Sequence, residues 1–178
     1  MFKLKSTKIG ILGGSFDPAH KGHLTISKIA LKKIKLKKIY WIVTKKNPFK
    51  EKTFFSLKDR IDKARKISSK NKNIEVLYIE DVIKSSKSIK VIQYILKKKK
   101  PKDLYFIVGS DILLKFHRWH SWKRIVKLTK LIVFSRKGYD RKSKKTIVVK
   151  YLNKNNITFI NNKPIEISSS FLRKRVKI

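Results

Sequence analysis

The chain has 178 residues, 41% of them hydrophobic and 11% aromatic, enough apolar surface for one packed domain over 1–178 despite a charged fraction of 33%. Cysteine is absent, which excludes disulfides, thiolate nucleophiles and cysteine-ligated zinc, and no apolar run reaches the roughly 18 residues that span a membrane, so a soluble cytoplasmic protein is expected. The net charge of +37 comes mostly from lysines spread along the whole chain, while arginine, the better reader of phosphates and base edges, is scarce; this argues for a diffuse field that attracts anionic substrates and against a specific nucleic-acid groove.

The first element is the apolar run KIGIL at 8–12, which suits a buried parallel strand and is ended by Gly13 and Gly14. From Lys21 the spacing turns helical, with Ile26, Ile29, Ala30 and Ile34 on one face and lysines opposite. A second strand, YWIVT at 40–44, leads through a loop to Ser56, which with Asp59 three residues later reads as a capping box opening a helix that carries Leu57, Ile61, Ala64 and Ile67 inward. A third strand covers 74–79. It is followed by a helix through Ile89, Ile92, Ile95 and Leu96, whose closing lysines at 97–100 complement the helix dipole before Pro101. The strand at 104–108 runs into Gly109, Ser110 and Asp111, the strand at 131–134 into Ser135, Arg136, Lys137 and Gly138, and a run at 157–160 offers a sixth. Strands alternating with helices at these intervals predict an α/β, Rossmann-like three-layer fold, with a central parallel sheet, helices on both faces and ligands at the carboxyl ends of the strands.

Chemistry concentrates in GGSFDPAHKGH, from Gly13 to His23, between the first strand and the first helix. The glycine pair lets the backbone come close to a phosphate, and Ser15 and Phe16 continue the turn into a helix N-terminus whose N–H groups face anions. His20 and His23 stand at its mouth, where imidazoles can donate to phosphate oxygens as charge develops. The spacing matches neither the dinucleotide fingerprint nor the Walker loop. His117 and His120 repeat the three-residue interval, but no carboxylate or cysteine completes a zinc set, and no protein-held metal is expected. At the other end, ISSSFLR places Ser168, Ser169 and Ser170 before a short helix. That is either an ordinary serine cap or a second anion site completed by Arg173 one turn on.

Together, GGSFDPxHxGH near the start and ISSSxxR near the end resemble the HxGH nucleotidyltransferases, over nearly the whole chain. The middle is similar to bacterial nicotinate-nucleotide adenylyltransferase: NPFK from Asn47 to Lys50, GSDILLKFHRWHSW from Gly109 to Trp122, and SRKGY from Ser135. The resemblance implies in-line attack of the nicotinate mononucleotide phosphate on the α-phosphorus of ATP, with magnesium carried on the ATP phosphates. On its residues, His20, His23 and Arg173 would be catalytic. Gly13, Gly14, Ser15, Phe16, Gly109, Asp111, Ser169 and Ser170 would join them in binding ATP, with Asp111 accepting ribose hydroxyls. Asn47, Lys50, Ser85, Trp119 and Arg136 would serve the mononucleotide, Trp119 lining the pyridine pocket, while Trp122 packs.

Three departures stand out. The usual Thr-x-Asp-Thr-Leu is Ser85, Ser86, Lys87, Ser88, Ile89, so a lysine replaces the aspartate; Arg-Pro-Gly is Arg136, Lys137, Gly138; and ISST is ISSS. The competing readings are a pantetheine-phosphate adenylyltransferase, which shares both ends of the pattern but not the tryptophan-bearing string, and a non-catalytic basic nucleic-acid-binding module.

Overall fold

The computed structural model describes residues 7–45, 52–162 and 168–176. Six strands and the helices between them follow in the order β1 (Lys8–Gly14), α1 (Lys21–Ile34), β2 (Lys38–Val43), α2 (Leu57–Ser68), β3 (Ile74–Leu77), α3 (Glu80–Ile83), α4 (Ser88–Lys99), β4 (Asp103–Gly109), α5 (Ser110–Leu113), α6 (Trp122–Leu128), β5 (Lys130–Phe134), α7 (Asp140–Ser143), α8 (Ile147–Tyr151), β6 (Ile157–Ile160) and α9 (Ser169–Val176). Short 3-10 turns at Phe116–Arg118 and Lys154–Asn156 complete them.

All pairings are parallel, in the order β3-β2-β1-β4-β5-β6. Alternate side chains of each strand enter two separate cores, which is why the sheet is buried on both faces. Ile9, Ile11, Phe106, Val108, Leu131 and Val133 pack with Ile92 and Ile95 of α4 and Ile125 and Val126 of α6. Leu12, Ile39, Trp41, Ile107 and Ile132 pack with Ala30 of α1 and Ala64 of α2. The three-layer α/β architecture expected from the alternation of elements is therefore the one observed.

Boundaries differ where pairing outruns composition. Strand β1 continues past Leu12, because Gly13 and Gly14 pair with Ile42 and Val43, and β3 stops at Leu77, the partner of Ile42, two residues short of Ile79. The box at Ser56 is half formed: its Oγ accepts the Asp59 N–H at 3.1 Å, but the Asp59 carboxylate accepts the Ser56 hydroxyl instead of its N–H. Helices α1, α3 and α4 all close on a lysine in the left-handed conformation, Lys35 at φ 57°, Lys84 at φ 48° and Lys100 at φ 43°.

Candidate active site

Strands β1 and β4 are neighbours from which the chain departs to opposite sides of the sheet, so a crevice opens at their carboxyl ends, the position where open parallel sheets take ligands. The β1–α1 loop forms one wall. Its Phe16 is held at φ 46°, a conformation that costs a residue with a side chain on the order of 1 kcal/mol and persists only when its surroundings impose it. Asp17 supplies part of that constraint. Buried at 2% exposure, its carboxylate accepts the Phe54 and Phe55 N–H groups, each at 2.9 Å.

His20 is the N-cap of α1 and His23 its third residue, and the two cap each other. The Nδ1 of His20 accepts the Gly22 N–H at 3.1 Å, and the Nδ1 of His23 accepts the His20 N–H at 3.2 Å. With Nδ1 occupied as acceptor, the neutral imidazole carries its proton on Nε2, so each ring offers one N–H donor away from the helix backbone. Burial, assisted by the charge of Arg136, pushes His20 down to about 4, which keeps it neutral at pH 7. The rings lie 4.0 Å apart between centroids, and His23 rests against Phe16 at 4.8 Å, which in turn stacks on Trp41 at 5.2 Å.

At the end of β4, Asp111 folds back over Gly109: a Cβ at residue 109 would lie 2.3 Å from Asp111 Oδ1, so only glycine leaves the carboxylate this place. That Oδ1 is buried and accepts no hydrogen bond among the described residues, although Arg136 Nε stands 3.7 Å away. Arg136, expected at the mononucleotide, thus stands beside Asp111, and its charge is felt at His20. Its backbone N–H is shared between Ser110 Oγ and Asp140 Oδ1, each at 3.0 Å. For Asp140, burial raises the pKa, but hydrogen bonds from Ser135, Ser110 and the Arg136 N–H outweigh it and leave the carboxyl below its ordinary value. The turn between them passes through Gly138 at φ 86°.

The C-terminal segment docks on the same loop. Ser168 Oγ accepts the Phe171 N–H and so caps α9, which frees the next two serines for other work. Ser169 Oγ donates to Pro18 O at 3.0 Å, Arg173 Nη1 donates to Asp17 O at 2.7 Å, and Arg173 Nη2 donates to Ser170 Oγ at 2.9 Å. Residues more than 150 positions apart are thus brought within three positions of His20.

Residues 11–175 match the cytidylyltransferase-like family model. Over 170 residues, 96% of this chain and 94% of the relative, the sequence is 52% identical to a Pelagibacter ubique protein named probable nicotinate-nucleotide adenylyltransferase. The chain belongs to the nicotinate-nucleotide adenylyltransferase family. A relative of the same name from Endomicrobium trichonymphae is 32% identical across 96% of this chain and 86% of its own length. Plasmodium falciparum nicotinic acid mononucleotide adenylyltransferase complexed with NaAD shares the fold at TM-score 0.76 and 21% identity, over 94% of this chain and 83% of that one. This member of the nicotinate-nucleotide adenylyltransferase family is accordingly a nucleotidyltransferase enzyme of the cytidylyltransferase-like class.

Within the family pattern, Trp119 is half-buried, stacked on Phe116 at 4.9 Å and edge-on to Phe106 at 5.9 Å, so it packs against the core that those two rings line. Trp122 packs edge-on to Tyr151 at 5.2 Å, as expected. Ser85 Oγ accepts the Lys87 N–H at 3.2 Å, and Lys87 occupies the N-cap of α4 with no side-chain cap bond. The lost aspartate of the family string thus falls on a helix cap. Asn47 and Lys50 lie outside the described residues. His117 and His120 are exposed, and among the described residues no group of three or more His, Cys, Asp or Glu side chains gathers to hold a metal. Nor is any helix among them long and apolar enough to cross a membrane.

Among the described residues, three buried charges carry no assignment from sequence reasoning: Asp17, quoted only as part of the motif, Arg60, and Glu80, whose carboxylate accepts the Thr44 hydroxyl and the Lys45 N–H. The signal for Arg60 was its spacing, since it falls three after Leu57 and four before Ala64, on the inward face of α2.

Proposed function

We propose that the enzyme transfers the adenylyl group of ATP to nicotinate mononucleotide, giving nicotinate adenine dinucleotide and pyrophosphate. The observation that carries this reading is the meeting of the two motif-bearing ends of the chain on one loop, where Ser169 and Arg173 contact the carbonyls of Pro18 and Asp17 beside the His20–His23 pair. A phosphate oxygen of the mononucleotide attacks the α-phosphorus, the bond to the β-phosphate oxygen breaks, and pyrophosphate leaves with that electron pair. No protein nucleophile is required. Such transfer depends on alignment and on donors already aimed at developing charge. His20 and His23 would supply N–H donors through Nε2, and Arg173 with Ser169 and Ser170 would hold the triphosphate alongside Gly13, Gly14, Ser15 and Phe16.

Asp111 Oδ1, a buried acceptor, fits a ribose hydroxyl, and Gly109 allows the close approach. Arg136, Ser85 and Trp119 would receive the mononucleotide, with Arg136 facing both substrates. Side chains at the loop are donors and cations, and the Asp17 carboxylate is already engaged by two N–H groups, so the set fits a magnesium ion carried by the triphosphate better than one held by the protein. Such an ion neutralises phosphate charge. Reliance on ATP favours the cytoplasm as its compartment. The test is pyrophosphate release from ATP and magnesium with nicotinate mononucleotide, nicotinamide mononucleotide or phosphopantetheine, one at a time. Release should require nicotinate mononucleotide, and equal or faster turnover of phosphopantetheine would overturn the assignment.

A further inference from the structure

Arg60, on α2, is 1% exposed, yet among the described residues no carboxylate pairs with it directly. Its guanidinium instead donates to four backbone carbonyls: through Nη1 to Ser15 O and Thr44 O, both at 2.7 Å, through Nη2 to Lys45 O at 3.0 Å, and through Nε to Phe55 O at 3.2 Å. These oxygens belong to three separate segments: the loop leaving β1, the loop leaving β2, and the turn entering α2. Each segment ends at the ligand edge of the sheet. A buried cation is tolerated only when its donors are satisfied, and a planar fork of N–H groups is the side chain suited to gripping several carbonyls at once.

We propose that Arg60 is a positioning residue for adenylyl transfer, holding the Ser15 carbonyl inward so that the β1–α1 loop presents its donors to phosphate. In a trans peptide the C=O and the following N–H point in opposite directions, so anchoring Ser15 O toward α2 aims the Phe16 N–H toward the open side of the loop. The same anchor selects the left-handed backbone of Phe16 and, through it, the seat of His23, whose ring rests 4.8 Å from the Phe16 ring. Asp17 fastens the loop from the other direction through the Phe54 and Phe55 N–H groups. Arg60 therefore reaches the reacting phosphorus only through the loop. Its loss should lower kcat more than it raises either KM, since small misplacements of catalytic donors cost rate at the transition state.

The role rests on the adenylyltransferase reading, and the experiment separates the two. Arg60→Lys keeps the charge but replaces the fork by a single ammonium; Ile95→Val lowers stability from the opposite core and serves as the control. Both are assayed where near-ultraviolet dichroism shows a native fold. Arg60→Lys should lose about 10²-fold in kcat with little change in the KM for ATP, while Ile95→Val keeps the kcat of the unaltered enzyme. An Arg60→Lys enzyme that melts early but turns over like Ile95→Val would overturn the proposal. A second reading needs no variant. The Arg60 side-chain N–H signals of the unaltered protein should shift when a non-hydrolysable ATP analogue is added, and unmoved signals would also overturn it. Failure of the substrate reading would instead appear as an unaltered enzyme inert toward nicotinate mononucleotide.

Discussion

His20→Asn isolates the cost of keeping one imidazole neutral. In the unfolded chain this histidine takes up its proton near pH 6.5, but burial and then the charge of Arg136 delay protonation in the fold to about pH 4. Acid therefore loads the unfolded state first. The stability associated with neutral His20 is complete above about pH 6.5 and declines as pH falls toward 4. With 1.36 kcal/mol per pKa unit, the loss amounts to about 2 kcal/mol between pH 7 and pH 5 and to about 3 kcal/mol by pH 4. Asparagine is among the best N-caps, so it keeps an acceptor for the start of α1 while removing the titration. Urea unfolding followed by tryptophan fluorescence, for both proteins at pH 7, 6 and 5, gives the comparison, and the carboxylates common to both cancel in the difference. The gap should close in the variant's favour by about 2 kcal/mol on going to pH 5. Parallel pH dependences for the two proteins would refute the assignment of a buried, neutral imidazole.

Gly109→Ala puts a Cβ against Asp111 Oδ1 and little else, so the carboxylate must move while the backbone stays; the KM for ATP should rise by the equivalent of about 1.5–3 kcal/mol with little change in Tm, and an unchanged KM would place Asp111 away from the nucleotide. Lys87→Asp restores an N-cap and a favourable charge to the start of α4, and thermal unfolding should show a gain of about 1 kcal/mol; no gain would mean that the cap is satisfied otherwise. Trp119→Leu should lower both stability, because the indole stacks on Phe116, and affinity for the mononucleotide by about 1–3 kcal/mol, with the KM for ATP preserved. A normal mononucleotide KM in that variant would confine Trp119 to packing.

The alternating strands and helices were legible because strands buried on both faces read as unbroken apolar runs, and the helices show their inward stripe. The β1–α1 loop was legible as a candidate phosphate site because its glycines, histidines and following helix are contiguous in sequence. The reciprocal capping of His20 and His23 was hidden, since an N-cap histidine is not a customary helix signal and its role appears only once Nδ1 is seen to accept a backbone N–H. Asp17 and Arg60 were hidden for a related reason. Their partners are main-chain groups of distant segments, which leave no mark in side-chain pattern, and a charged residue on an inward helix face reads as an interruption of the stripe. The place of Arg136 beside Asp111 depends on the adjacency of β4 and β5 and on the turn through Gly138, neither of which the spacing alone establishes.

The three lysines that close α1, α3 and α4 leave stability unclaimed. A left-handed helix terminus is normally given to glycine, which adopts it without a steric penalty, whereas a residue with a Cβ gives up on the order of 1 kcal/mol there. This chain has only six glycines among 178 residues, and it fills those ends with the residue its composition supplies in excess. Lys35 and Lys100 close their helices just before β2 and β4, at the edge of the sheet opposite the candidate site, whereas Lys84 adjoins Ser85. Replacing Lys35 and Lys100 by glycine is then a route to a hardier enzyme through positions remote from the candidate site.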